Sequence, residues 1–161
     1  MALVDYFLKI EAIKGESQDS KHKDEIEIES WSWGATQAGT ARMGGGMGAG
    51  KVQMQDFNFA MRINKASPKL FLACAQGEHI KSATLTCRKA GKEQQEYLKI
   101  VFSDLLISHY QTGGSTGDTI PMDQIALNFS KMEMEYKEQK ADGTLGGVVK
   151  AYYDLKTTKG G

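Results

Sequence analysis

Seven residues, Gly45-Gly46-Met47-Gly48-Ala49-Gly50-Lys51, reproduce the first seven positions of the phosphate-binding pattern G-x-x-x-x-G-K-[ST]. In that pattern glycine N–H groups cradle phosphates, the lysine reaches them, a hydroxyl at the eighth position binds magnesium, and a helix begins behind the loop. Here the eighth position is Val52, and the residues after it alternate like a strand. The motif therefore lacks both its metal-binding hydroxyl and its helix. The glycines read instead as freedom for a long loop to lie flat against a neighbouring backbone, with Lys51 solvated or paired.

The other residues capable of chemistry do not converge. His22, His79 and His109 lie in separate segments, without metal-ligand spacing or a nucleophile motif beside them. Asp24, Glu25, Glu27 and Glu29 crowd one segment, whereas paired-carboxylate hydrolysis needs groups facing each other across a cleft. Cys74 and Cys87 form no CxxC pair and read as structural thiols. Asn128-Phe129-Ser130 matches a glycosylation sequon but falls inside an apolar strand pattern. No catalytic residue, metal or cofactor is expected.

The chain has 161 residues, which fits one domain over residues 1–161. Hydrophobic residues make up 40% and charged residues 25%, which argues against a disordered or membrane-embedded chain. Lysine plus arginine equals aspartate plus glutamate at 20 each, so no net field draws it to nucleic acid or anionic lipid. Met1-Ala2-Leu3-Val4-Asp5-Tyr6 lacks the basic start and apolar run of a signal peptide, which predicts synthesis in the cytoplasm.

Strand periodicity dominates. Val4, Tyr6, Leu8 and Ile10 alternate with Asp5, Phe7 and Lys9, and the polar run Lys14 to Lys23 reads as an exposed loop. Phe57, Phe59, Met61 and Ile63 mark a second clear strand. One short helix is predicted, with Ser67 as N-cap, Pro68 in its first position, a stripe of Leu70, Phe71 and Cys74, and Gly77 as terminator. Strands then follow at Ala83 to Lys89, Glu96 to Phe102, Leu105 to Gln111, Gln124 to Tyr136 and Val148 to Leu155, the first two forming a hairpin around Ala90-Gly91-Lys92. The pattern shifts phase near Ser130 and Lys131, where a bulge would bend the strand as barrel closure requires. Many strands and one helix predict a mainly β fold, a barrel or sandwich with a long extended loop.

The stretch Glu25 to Lys51 holds the only two tryptophans, Trp31 and Trp33, one residue apart and so on one face. They read as strand anchors, each contributing at most about 4 to 6 kcal/mol if fully buried. Ile26 and Ile28, however, share the opposite face with Ser30 and Ser32. Either a bulge near Glu29 and Ser30 swaps the faces, or a partner subunit covers both.

Ordered along nearly the whole chain are Asp5-Tyr6-Phe7-Leu8-Lys9-Ile10, Lys14-Gly15-Glu16-Ser17, Trp31-Ser32-Trp33-Gly34, Gly48-Ala49-Gly50-Lys51, Ser67-Pro68, Arg88-Lys89-Ala90-Gly91, Leu127-Asn128-Phe129 and Gln139-Lys140-Ala141-Asp142-Gly143. In this set the chain resembles the haemolysin-coregulated protein (Hcp) family, the tube-forming components of bacterial type VI secretion. The resemblance implies a small β-barrel of two packed antiparallel sheets with one flanking helix. It implies a homo-hexameric ring with a wide hole, rings stacked into a tube inside a contractile sheath, a spike at the tip, and effector proteins carried in the hole. It also implies export through that machine without a signal peptide, no cofactor, and no binding of nucleic acid or insertion into membrane. A phage-type tail tube subunit shares this architecture and stands as the alternative.

By the same resemblance, the arm from Ala38 to Lys51, with Gly44, Gly45, Gly46, Gly48 and Gly50, contacts neighbouring subunits and rings. Arg88, Lys89, Ala90 and Gly91 form a turn on a ring face, and Ser32 faces the hole. The family's loop is mostly serine, glycine and other small residues, so Arg42, Met43 and Met47 are departures. A ring needs two different patches that meet head to tail, and a glycine-rich arm and a two-faced strand are suitable patches.

Overall fold

The structure, a computed structural model, describes residues 4–38, 51–89 and 94–161. The elements are β1 (Val4–Ile10), β2 (Ile26–Glu27), β3 (Ser30–Ser32), β4 (Ala35–Gln37), β5 (Val52–Met54), β6 (Phe57–Arg62), α1 (Ser67–Gln76), β7 (Ile80–Lys89), β8 (Glu96–Gly113), β9 (Met122–Gln139), β10 (Leu145–Asp154) and β11 (Lys159–Gly160). The strands make a nine-stranded antiparallel sheet and a two-stranded one, β4 with β5. The expected mainly β fold with one short helix is present, but the strands roll around the core without forming a closed barrel.

The roll depends on two places where the chain changes partner. The segment Ile26 to Ser32 pairs first with β1 and then with β6: the Ile28 N–H donates to Tyr6 O at 3.1 Å and the Glu29 N–H to Ala60 O at 2.8 Å. Likewise β9 runs beside β8 throughout, but its other edge pairs with β6 over residues 122–127 and with β10 from Lys131 onward. At the switch the Leu155 N–H donates to Ser130 O at 2.8 Å.

The phase change near Ser130 is real, but it is not the expected bulge. Register is constant across it, with Leu105 opposite Phe129 and Ser103 opposite Lys131. Instead Asp104 turns to φ 51°, and both strands reverse their inward side at that level, from Phe102 to Leu105 and from Met132 to Phe129. This also explains why β8 reads as two strands in sequence. The register shift that does occur lies between Ile107 and His109.

One core cluster fills the roll, centred on an aromatic chain in which Phe57 and Phe102 rings lie 4.7 Å apart and Phe102 and Phe129 rings 4.8 Å apart. The helix α1 closes one side with fully buried Leu70 and Ala73, while Phe71, expected in the stripe, is exposed and meets only the edge of Tyr110. Ser67 is not the N-cap but the first helical residue: its hydroxyl donates to the buried Asp123 carboxylate at 2.6 Å, pinning the helix to β9. Gly77 ends the helix as expected, with φ 59°.

The polar run after β1 is no free loop. Residues 11–25 form a strap across the outside of β1, covering Phe7, which alternation had placed on the exposed face. Gly15 makes this possible, since a Cβ there would fall 2.5 Å from the Glu25 carbonyl oxygen.

Candidate functional site

The two tryptophans settle the face problem. Ile26 and Ile28 point into the core, Glu29 and Ser30 are both exposed, and from there Trp31 and Trp33 turn inward while Ser32 turns out. The irregularity at Ile28 to Glu29, where the chain leaves β1 for β6, performs the swap. Trp31 packs edge-on against Tyr6 and over Phe57, each at 6.1 Å, and Trp33 lies 6.5 Å from Phe129. Both are partly buried, so each realises less than its full burial energy of about 4 to 6 kcal/mol. Trp31 also touches the Cys87 thiol, which burial pushes up to about 12, so this cysteine is inert.

The arm predicted from Ala38 to Lys51 is flanked in sequence by the β4–β5 pair, with Ala35 opposite Met54 and Gln37 opposite Val52. Its glycines Gly44, Gly45, Gly46, Gly48 and Gly50 lie outside the described residues. Lys51 is exposed and leads straight into β5, so a strand, not a helix, follows the glycine-lysine motif. The helix start that would aim backbone N–H groups at a phosphate is therefore missing after Lys51.

Of the predicted ring-face turn, Arg88 and Lys89 are described, and Ala90 and Gly91 lie outside. Lys89 hydrogen-bonds Gln139 and sits over the Tyr97 ring. Arg88 is buried, and its Nη2 donates to Asp5 at 3.0 Å and Asp19 at 2.8 Å, while its guanidinium lies 4.7 Å from the centre of the Phe7 ring. Beside it His22 stacks on Phe7 at 4.4 Å and 9°, with Nδ1 2.9 Å from Glu25 and Nε2 2.6 Å from Glu96. Arg88 and His22 thus tie the strap to the turn end of the β7–β8 hairpin. The sequence marked neither as buried, because their partners are 69 and 74 residues away.

The hydrogen bond from Arg88 holds the Asp19 carboxyl down to about 2, against a partial opposing effect of burial. Because the folded value lies below the unfolded one of about 3.9, this contribution is complete above pH 4 and lost as pH falls from about 4 to 2. Asp19→Asn is expected to lower stability at neutral pH by about 2 kcal/mol and to flatten the acid limb of stability. Urea midpoints between pH 7 and pH 2 check this; parallel wild-type and variant curves would refute it.

A surface that sequence reading missed lies on the C-terminal hairpin. On β10 the neighbours Val148 and Val149 are 49% and 72% exposed, and Tyr136 and Tyr152 nearby are also exposed. Neighbouring strand residues point to opposite faces, so the hairpin is apolar on both sides. On one side the row Leu98, Tyr136 and Val149 continues the core face outward past its cover. The consecutive Val148-Val149 and Tyr152-Tyr153 were the available signal.

Among the described residues no group of His, Cys, Asp or Glu could hold a metal, and no helix is long and apolar enough to cross a membrane. The notable features are surfaces, not a cleft with converging reactive groups. Fold and surfaces together define a mainly β protein of rolled antiparallel strands with one flanking helix. The family model "Type VI secretion system effector, Hcp" matches residues 7–136. Protein hcp1 of Pseudomonas aeruginosa is 46% identical over 155 residues, covering 95% of this chain and 96% of that one. Hcp1 from Salmonella typhimurium superposes with a TM-score of 0.82 at 38% identity, covering 99% of both chains. A structure described as a type six secretion system protein reaches a TM-score of 0.92 at 29% identity, over 98% of this chain and 99% of that one. The chain belongs to the Hcp family of type VI secretion proteins.

Proposed function

We propose that this chain is the repeating, non-catalytic subunit of a type VI inner tube, forming hexameric rings that stack and carry effector proteins in the hole. The observation that carries this reading is the C-terminal hairpin. An apolar row that continues the core and is 72% exposed at Val149 is a surface made to be covered, and a heterologous contact between copies covers it in a closed ring. Family membership supports the same reading. In it the arm from residue 38 to 51 and the turn Lys89 to Gly91 serve contacts between subunits and rings, the buried Arg88 bracing that turn from within the chain; Ser32 borders the hole, and spike and sheath components are the outer partners. Made in the cytoplasm, the protein leaves through the machine itself.

Gel filtration with light scattering tests the assembly. Six copies of the 17.7 kDa chain give about 106 kDa, and negative-stain micrographs should show rings. A monomer at micromolar concentration without rings would end this reading.

A further inference from the structure

Four lysines from three parts of the chain converge on one cleft beside the strap, about 540 Å³ in volume. Lys9 comes from β1, Lys14 and Lys23 from the strap, and Lys69 from α1. None of their ammonium groups forms an ion pair with a carboxylate of the described residues. The lining also holds three carboxylates, but Glu25 is taken by His22 at 2.9 Å and Glu11 accepts from the Ser82 hydroxyl at 3.4 Å, which leaves Asp24. Positive charge is in excess.

Like charges gathered without partners repel one another, and a cleft concentrates their field, so the arrangement stabilises an anion that enters it. The backbone around the cleft is held in a costly shape as well. Ala12 and Asp24, both in the lining, take left-handed φ values of 70° and 64°. A residue with a Cβ keeps that conformation only where its surroundings hold it, and such positions gather at ligand sites.

The lining restricts what the anion can be. Among the described residues it offers no aromatic ring on which a nucleobase could stack, and no arginine to fork onto two oxygens at once. Ile10, Ala12 and Ile13 supply aliphatic surface instead, and lysine ammonium groups meet a carboxylate or phosphate as point charges. The volume lies within the range of small-molecule sites, about 300 to 1,000 Å³. We propose that this cleft binds a small amphiphilic anion, a short aliphatic chain whose carboxylate or phosphate head is held by Lys9, Lys14, Lys23 and Lys69. The site lies within one chain and does not depend on the ring.

Titration calorimetry of the purified protein with octyl phosphate and octanoate, each kept monomeric, tests this, with octyl glucoside as the uncharged control. At least one of the anions should bind saturably, one per chain and more weakly as salt is added, while the glucoside should not bind. The double variant Lys9→Ala with Lys69→Ala should weaken binding about tenfold, whereas Lys159→Ala, on β11 and outside the lining, should leave it unchanged. All three side chains are exposed, so melting temperatures should match wild type. Pelleting with phosphatidylglycerol vesicles separates two sources of the same chemistry: sedimentation lost in the double variant assigns a lipid headgroup, and no sedimentation assigns a free anion. Failure of both soluble anions to bind, equal binding of octyl glucoside, or unchanged affinity in the double variant overturns the inference.

Discussion

Arg88→Ala should lower the unfolding free energy by about 3 kcal/mol, about a 6 to 12 °C drop in melting temperature for a chain of this size. Three contributions combine. Asp19, only 17% exposed, loses the guanidinium that stabilises its charge, and Asp5 loses its partner as well. The Phe7 ring loses the guanidinium that covers it, with the cation–π attraction and packing that this supplies. The strap then keeps His22, the buried Ile13 side chain and its backbone bonds as anchors.

One effect runs the other way. Among the described residues Arg88 Nε and Nη1 are buried without acceptors, and alanine removes that cost, which is why the figure sits at the low end for a broken buried pair. The double variant Arg88→Ala with Asp19→Asn should cost little more than Arg88→Ala alone, since both remove the same bond. Chemical denaturation of all three proteins checks this. A loss below about 1 kcal/mol for Arg88→Ala would mean the pair behaves as an exposed surface bridge.

Val149→Asp should reduce the proposed ring from about 106 kDa to the 17.7 kDa chain while leaving the fold intact. In the isolated chain Val149 is 72% exposed, so the substitution costs about 0.5 kcal/mol in water plus some strand propensity. Under a neighbouring subunit the same carboxylate is desolvated without a partner, which costs several kcal/mol at each contact. A ring repeats that cost at every interface, so the assembly fails before the fold does. Size and melting temperature together decide the matter. Val149→Ile, which keeps the apolar surface, should remain ring-sized. A Val149→Asp protein that still elutes with wild type would exclude the hairpin from the contact.

Much of this molecule is legible in its chain. Alternation gives the strand content, Ser67-Pro68 and Gly77 bracket the one helix to within a residue, and Val52 shows where the phosphate-loop pattern breaks off. These are local signals, set by side-chain period, backbone stereochemistry and the demands of a single motif. The ordered motif set carried the family.

What the sequence left open depended on residues far apart in it. Alternation could state the conflict between Ile26, Ile28 and the tryptophans but could not resolve it, because the answer is a change of partner from β1 to β6. The burial of Phe7, His22 and Arg88 required the strap to fold back over β1, and the row of Ser32, Asn58, Ala126 and His109 exists only where β3, β6, β9 and β8 lie side by side. Periodicity reports which residues share a face of one strand. Which neighbour covers that face is decided by pairings across the chain, and only the tertiary structure contains them.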